Sequence, residues 1–266
     1  MKKWPVALIA FVFSVAAFAD LNALNVDALT SSGEDFHYSD YFEIQEAPVS
    51  GFINLLNYRH IQKSFPLPQA PYNRDRHFGG WLRDETPESC LNTRGKVLIR
   101  DSQTEVKLTT SGCSVESGEW DDPYTGRMHF KASDIQIDHL VALKNAYMTG
   151  AHEWDFEKRC LYANYMGNNF HLLSVNGREN LKKSDHSPAG YTPPNRAYMC
   201  QFVKQWLNVK LIWTLRVTPV EKEAIQQIVE ENHCNRSWFD VTSQELRTQR
   251  DYMRQNANLC VAPPVF

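Results

Sequence analysis

The chain predicts an α+β fold stapled by disulfides, and three observations carry that prediction. Polar and apolar residues alternate from Asp134 to Asp138, the period of a strand with one buried face. Phe170-His171-Leu172-Leu173-Ser174-Val175 reads as a second short strand, and Asn176 with Glu179 three residues on reads as the capping box of a short helix over 177–183. Met199, Phe202, Val203, Trp206, Val209 and Trp213 then recur at helical spacing, so the last third should be helical, its stripe buried as core.

Taken in order, residues 1–19 have the form of an export signal. Lys2 and Lys3 precede a largely apolar run of 13 residues over 4–16, and Ala17-Phe18-Ala19 supplies the small-x-small step before a cut at Asp20. A membrane-spanning helix needs roughly 20 apolar residues, so no anchor is expected after cleavage, and the expected location is periplasmic or extracellular. Residues 20–70, with Pro48, Pro66 and Pro68, read as an irregular extension, and 71–266 as one functional domain. Val97-Leu98-Ile99 and Val106-Lys107-Leu108 flank the polar Asp101-Ser102-Gln103 and predict a β-hairpin ahead of the main strands. Asp122-Pro123-Tyr124-Thr125-Gly126 is a turn. Thr218 with Pro219 and Glu221, and Thr242 with Glu245, are two further helix starts in the C-terminal third. These helices are expected to brace the functional site rather than form it.

The formal net charge of −3 excludes a polycation, so any contact with nucleic acid must come from a local basic patch. Six cysteines follow the signal: Cys90, Cys113, Cys160, Cys200, Cys234 and Cys260. An even count in an exported chain predicts up to three disulfides, with Cys90–Cys113 the natural local pair. No Cys-x-x-Cys occurs, which argues against a structural zinc knuckle. Neither Gly-x-Ser-x-Gly nor His-Glu-x-x-His is present, so serine-hydrolase and zinc-peptidase readings lack their signatures.

The chemistry-bearing residues lie between Ile137 and Lys183. Asp138 offers a hard carboxylate oxygen and Asn180 a neutral carbonyl oxygen, a pair suited to a divalent cation that keeps several waters. Mg²⁺ is the expected ion, with Mn²⁺ the second choice. His139, at the end of its strand, is the candidate general base. Asn169 would orient that imidazole or tie the loop before the second strand, and Lys183 would hold a phosphate. Arg178 and Lys182 on the same helix, with Lys144 and Arg196 nearby in sequence, are candidate substrate-binding cations, and Arg94 beside Cys90 serves either substrate or structure. Together these groups suit hydrolysis of a phosphodiester.

This order of residues resembles the ββα-metal core of HNH nucleases. More closely, the chain is similar to a family of exported bacterial proteins with an HNH nuclease domain, over roughly residues 72–234. The likeness is carried by Tyr72-Asn73-Arg74, Cys90-Leu91-Asn92-Thr93-Arg94, Trp120, the turn at 122–126, and Ile137-Asp138-His139-Leu140-Val141-Ala142-Leu143. It continues through Gly150-Ala151, Trp154, the stretch 169–173, Asn180-Leu181-Lys182-Lys183-Ser184-Asp185 and Pro193-Pro194-Asn195. The resemblance implies His139 as base, Asp138 and Asn180 as metal ligands, Asn169 as the middle asparagine of the signature, and nucleic acid, DNA before RNA, as substrate. Two departures stand out: Ala142 where many relatives carry proline, and Ser184 where glycine is common.

Bland readings stand beside each of these. His139 alone would be a half-buried strand-end histidine, Asp138 a cap or salt-bridge partner, Asn169 a turn residue, and Lys183 a cation at a helix end. His171 and His186 are rival metal ligands, although two imidazoles would suit a zinc-like ion better. The competing function is a non-catalytic, disulfide-stapled module that binds nucleic acid or protein on the same scaffold.

Overall fold

A computed structural model describes residues 35–43, 68–84 and 89–260. The expected signal at 1–19 and most of the 20–70 extension lie outside the described residues.

The centre of the fold is a two-stranded antiparallel ribbon of β4 (Ile135–His139) and β5 (Leu172–Asn176), with Ile135 opposite Asn176 and His139 opposite Leu172. Helix α6 (Gly177–Lys183) leaves β5 without a loop. Asn176 starts that helix, its side chain accepting from the backbone N–H groups of Arg178 and Glu179. The reciprocal half of the expected capping box does not form. Glu179 instead accepts from Lys182 Nζ and Tyr191 Oη, while Asn176 remains the last paired residue of the ribbon.

The ribbon is buried on both sides, which the alternating pattern did not show. Ile135, Ile137 and Leu172 pack into a smaller core with Val97, Leu98, Val115 and Trp120. Leu173 and Val175 pack into the main core. Asp138, on the face predicted to be polar and solvated, is 4% exposed. Polar partners, described below, make that burial tolerable.

The hairpin expected around Asp101-Ser102-Gln103 is absent. Residues 97–99 belong to helix α3 (Thr93–Asp101), started by Asn92, whose side chain accepts from Gly95 N at 3.0 Å. A short apolar run does not distinguish strand from helix by periodicity, and here the capping asparagine settles it. Gly95 packs closely, since a Cβ there would meet Leu91 Cδ2 at 2.9 Å. The β-hairpin comes one turn later. In a three-stranded antiparallel sheet, β1 (Lys107–Leu108) pairs with β2 (Val115–Asp122), and β2 pairs with β3 (Arg127–Lys131) around the predicted 122–126 turn. Trp120 of β2 donates through Nε1 to Leu98 O at 2.8 Å, a carbonyl in the last turn of α3 that also accepts from Ser102 N.

Short helices fill the remaining gaps: α1 (Asp40–Glu43), α2 (Arg74–Phe78), α4 (Leu143–Met148) and α5 (Phe156–Ala163). The C-terminal third is helical as expected, with α7 (Met199–Ile212), α8 (Pro219–Glu231) and α9 (Ser243–Gln255). Both capping boxes, Thr218 with Glu221 and Thr242 with Glu245, are formed. Trp206 and Trp213 of the apolar stripe are fully buried. Buried Lys210 ties these helices to α4, donating to Asn145 Oδ1 at 2.6 Å and Thr149 Oγ1 at 2.9 Å.

All six cysteines are paired, as Cys90–Cys113, Cys160–Cys260 and Cys200–Cys234. Cys160–Cys260 fastens the end of the described chain to α5. Its loop spans 100 residues, a length that the chain-entropy argument values at about 4.7 kcal/mol, against about 3 kcal/mol for a 15-residue loop. Replacing Cys160 and Cys260 together by serine should therefore lower the urea midpoint more than the same change at Cys90 and Cys113, whose separation is 23. Equal losses in the two double variants would contradict this.

Candidate active site

At the C-terminal end of β4, a buried carboxylate and a buried imidazole follow one another. Asp138 accepts from Tyr124 Oη on Oδ2 at 2.5 Å and from Lys183 Nζ on Oδ1 at 2.8 Å. Tyr124 is delivered by the 122–126 turn, which Asp122 closes by accepting from the backbone N–H groups of Tyr124 and Thr125. Gly126 there has φ +67°, and a Cβ would meet Asn195 Nδ2 at 3.2 Å. Asn195 in turn donates to Pro123 O at 3.0 Å, so the Pro-Pro-Asn stretch serves to lock this turn. Lys183, from the last turn of α6, is 0% exposed and also donates to His139 O at 3.0 Å. Burial pushes the Asp138 carboxyl above the usual carboxylate range, and Lys183 and Tyr124 pull against it.

His139 is held by a backbone carbonyl rather than by a side chain. Its Nε2 lies 2.8 Å from Ala163 O, at the end of α5. A carbonyl only accepts, so Nε2 carries the hydrogen and Nδ1 the lone pair. The indole of Trp81 stacks on the ring, with centroids 5.2 Å apart and planes 3° apart. Burial holds the imidazole well below its ordinary pKa, with smaller contributions from His171, Arg74 and Lys183. His139 is thus a neutral base with a defined tautomer.

His139, Asp138 and Asn180 line one cavity of about 450 Å³, together with Gln136, Arg74 and Lys144. Asn180 donates from Nδ2 to Gln136 Oε1 at 2.9 Å, which leaves its Oδ1 as the uncommitted end. Each Asp138 oxygen accepts one bond and retains a further lone pair. One carboxylate and one carboxamide oxygen on a shared wall fit a hard divalent ion that keeps most of its waters. Among the described residues no group of three His, Cys, Asp or Glu side chains could enclose a metal, so a closed zinc-type site is not formed there.

Several expected residues do different work. Lys183 does not reach the cavity as a phosphate-holding cation, because the buried carboxylate takes its charge. Asn169 is exposed and does not orient the imidazole, a job done by Ala163 O. The loop is tied by its neighbour Asn168, whose Oδ1 accepts from Phe170 N and His171 N and whose Nδ2 donates to Gln249 of α9. Arg94 donates to Ala132 O and Ile135 O, both at 2.9 Å, and so positions β4 rather than substrate. Lys182 is exposed but ion-paired with Glu179. Arg178 is exposed on α6 outside the cavity lining. His171 is no rival ligand: it is buried, bonded to Tyr162 O at 2.8 Å. Sequence reasoning passed over Gln136, Trp81 and the role of Tyr124. Only Tyr124 left a trace, as an aromatic at the centre of a turn where solvent exposure is the rule.

Ser184, one of the two departures, sits at φ +49°, a backbone region that favours glycine. Ala142, the other, has φ −55°, close to the value proline fixes.

The C-terminal domain of GmrSD restriction endonucleases matches residues 93–228, just over half of the chain. The chain belongs to that family. The match spans Asp138, His139, Asn180 and Lys183, so the GmrSD-type domain contains the cavity's polar wall and the chain is nuclease-related. This GmrSD-family chain is also 38% identical over 167 residues to a protein of Arthroderma benhamiae described as an uncharacterized secreted protein, covering 63% of this chain and 78% of that one. That relative is fungal rather than bacterial. No solved structure matches.

Lys183→Met strands a buried carboxylate, a change that costs about 3–5 kcal/mol; a variant that melts like the parent would show that the pair contributes nothing. His171 has its pKa lowered to about 3 by burial, so its neutral form contributes stability that is complete above about pH 6.5 and lost as pH falls toward 3. Over that range the loss approaches about 1.4 kcal/mol per pH unit. His171→Asn should flatten the acid limb of a stability–pH curve, and an unaltered limb would contradict the assignment.

Proposed function

We propose that this chain is an exported, divalent-cation-dependent endonuclease that hydrolyses phosphodiester bonds in DNA, with an HNH-type ββα core made of β4, β5 and α6. The observation that carries the reading is His139: a neutral imidazole, its Nε2–H given to Ala163 O and its Nδ1 lone pair free, on a cavity shared with Asp138 and Asn180. Membership of a nuclease family supports the reaction class. Three disulfides and a relative described as secreted support export. Among the described residues no helix is long and apolar enough to cross a membrane.

In this mechanism His139 Nδ1 takes a proton from the attacking water, and the Ala163 carbonyl stabilises the imidazolium through Nε2–H. Trp81 restricts rotation of the ring. Asp138 and Asn180 Oδ1 would hold the cation, Mg²⁺ or Mn²⁺, which when bound neutralises charge at the phosphate and the leaving oxygen. Gln136 sets which end of the Asn180 amide faces the cavity. Lys183 compensates the charge of Asp138 and holds its carboxylate in place. Contacts of this kind read the backbone and carry little sequence information, so cleavage should be largely sequence-nonspecific.

The test is cleavage of supercoiled plasmid by the oxidised protein with Mg²⁺ or Mn²⁺ and with chelator. His139→Ala should lower the rate by about 10²- to 10⁴-fold while duplex binding is kept. Cleavage by His139→Ala at the parent rate would remove this residue as the base. No cleavage of DNA or RNA by the parent under any divalent ion would leave the binding-module reading in its place.

A further inference from the structure

The site as described has a base and a place for a cation, yet the lysine expected to meet the phosphate is consumed. Two cations line the cavity, Arg74 and Lys144. Lys144 is paired with Asp185 at 2.5 Å. Arg74 has no ion pair among the described residues, and its guanidinium lies over the Trp81 ring, 5.6 Å from the centroid. The same indole lies parallel to the His139 imidazole. One aromatic plate therefore carries both the candidate base and a solvent-facing guanidinium at the mouth of the same cavity.

We propose that Arg74 is the phosphate-binding residue of this site, and that Trp81 positions it together with the His139 ring. An unpaired guanidinium presents a planar fork of donors matched to two phosphate oxygens, which an ammonium does not. Cation–π contact with an indole restrains that fork without neutralising its charge. Asn73 reinforces the placement by capping α2, its Oδ1 accepting from Arg76 N at 2.9 Å, so that Arg74 opens the helix from a fixed backbone. Both residues precede position 93, where the family match begins, so neither role comes with that match. The assignment rests on the nuclease reading above for its substrate, a phosphodiester in nucleic acid.

The experiment measures binding and turnover separately. Affinity for a short fluorescent DNA duplex is taken by anisotropy in chelator over a series of salt concentrations, and plasmid cleavage is followed with Mg²⁺. Arg74→Gln should weaken binding about tenfold or more and make the slope of log affinity against log salt shallower by about one ion. Its cleavage defect should lie mainly in KM, with Arg74→Lys intermediate. Trp81→Ala should lower kcat as well as affinity, and Trp81→Phe should recover most of both, with unchanged melting temperatures certifying the fold. Parent-like affinity and salt slope for Arg74→Gln would overturn the phosphate assignment. A Trp81→Ala protein that melts and cuts like the parent would overturn the positioning role. A parent that binds duplex but cuts nothing would defeat the nuclease reading while the anisotropy series still judged Arg74; a parent that neither binds nor cuts would overturn both.

Discussion

The ion pair between Asp138 and Lys183 is the constraint on which the rest of the molecule depends. A carboxylate and an ammonium, both out of water, tie the end of β4 to the last turn of α6. Separated, each would carry an uncompensated buried charge, so strand and helix are held at one spacing. Lys183 reaches further, to the carbonyl of His139, and Tyr124 brings a third segment to the opposite oxygen of Asp138. The turn at 122–126, the ribbon and the short helix are thereby fastened at a single point. Of Asp138, Lys183 and Tyr124, Asp138 alone lines the cavity.

A second frame holds the imidazole. Ala163 ends α5, and Cys160, three residues earlier, carries the disulfide to Cys260. The following loop is clasped by Gln249 of α9, which accepts from Tyr165 Oη and Asn168 Nδ2. Helices far along the chain thus reach the His139 ring through one carbonyl and one loop, and the Cys160–Cys260 bridge fastens that support. The same long-range support keeps both His139 and His171 neutral, because apolar packing around the rings makes their protonation costly.

Much of this was legible along the chain. The strand ending in His139 is found, and the helix over 177–183 has the expected bounds. The helical C-terminal third, its two capping boxes and the Cys90–Cys113 bridge are also present. Each depends on groups within a few residues of one another, or on a periodicity that burial enforces. The errors have two separate causes. Residues 97–99 looked like a strand because a short apolar run has no period of its own. Lys183 looked like a phosphate ligand because spacing on a helix tells which residues are neighbours, not where their charges end.

The linear chain by itself determined the nuclease-related family, the even set of cysteines and the order Asp138, His139, Asn180, three residues that line one cavity. Partner choice was a matter of folding. Asp138 meets Tyr124 and Lys183 across 14 and 45 residues, and His139 meets Ala163 across 24. Contacts at such separations are set by how two cores close around the ribbon, and local pattern does not encode them. Which cation is spent inside and which faces the cavity follows from that closure, because desolvated charges must pair while solvated ones need not.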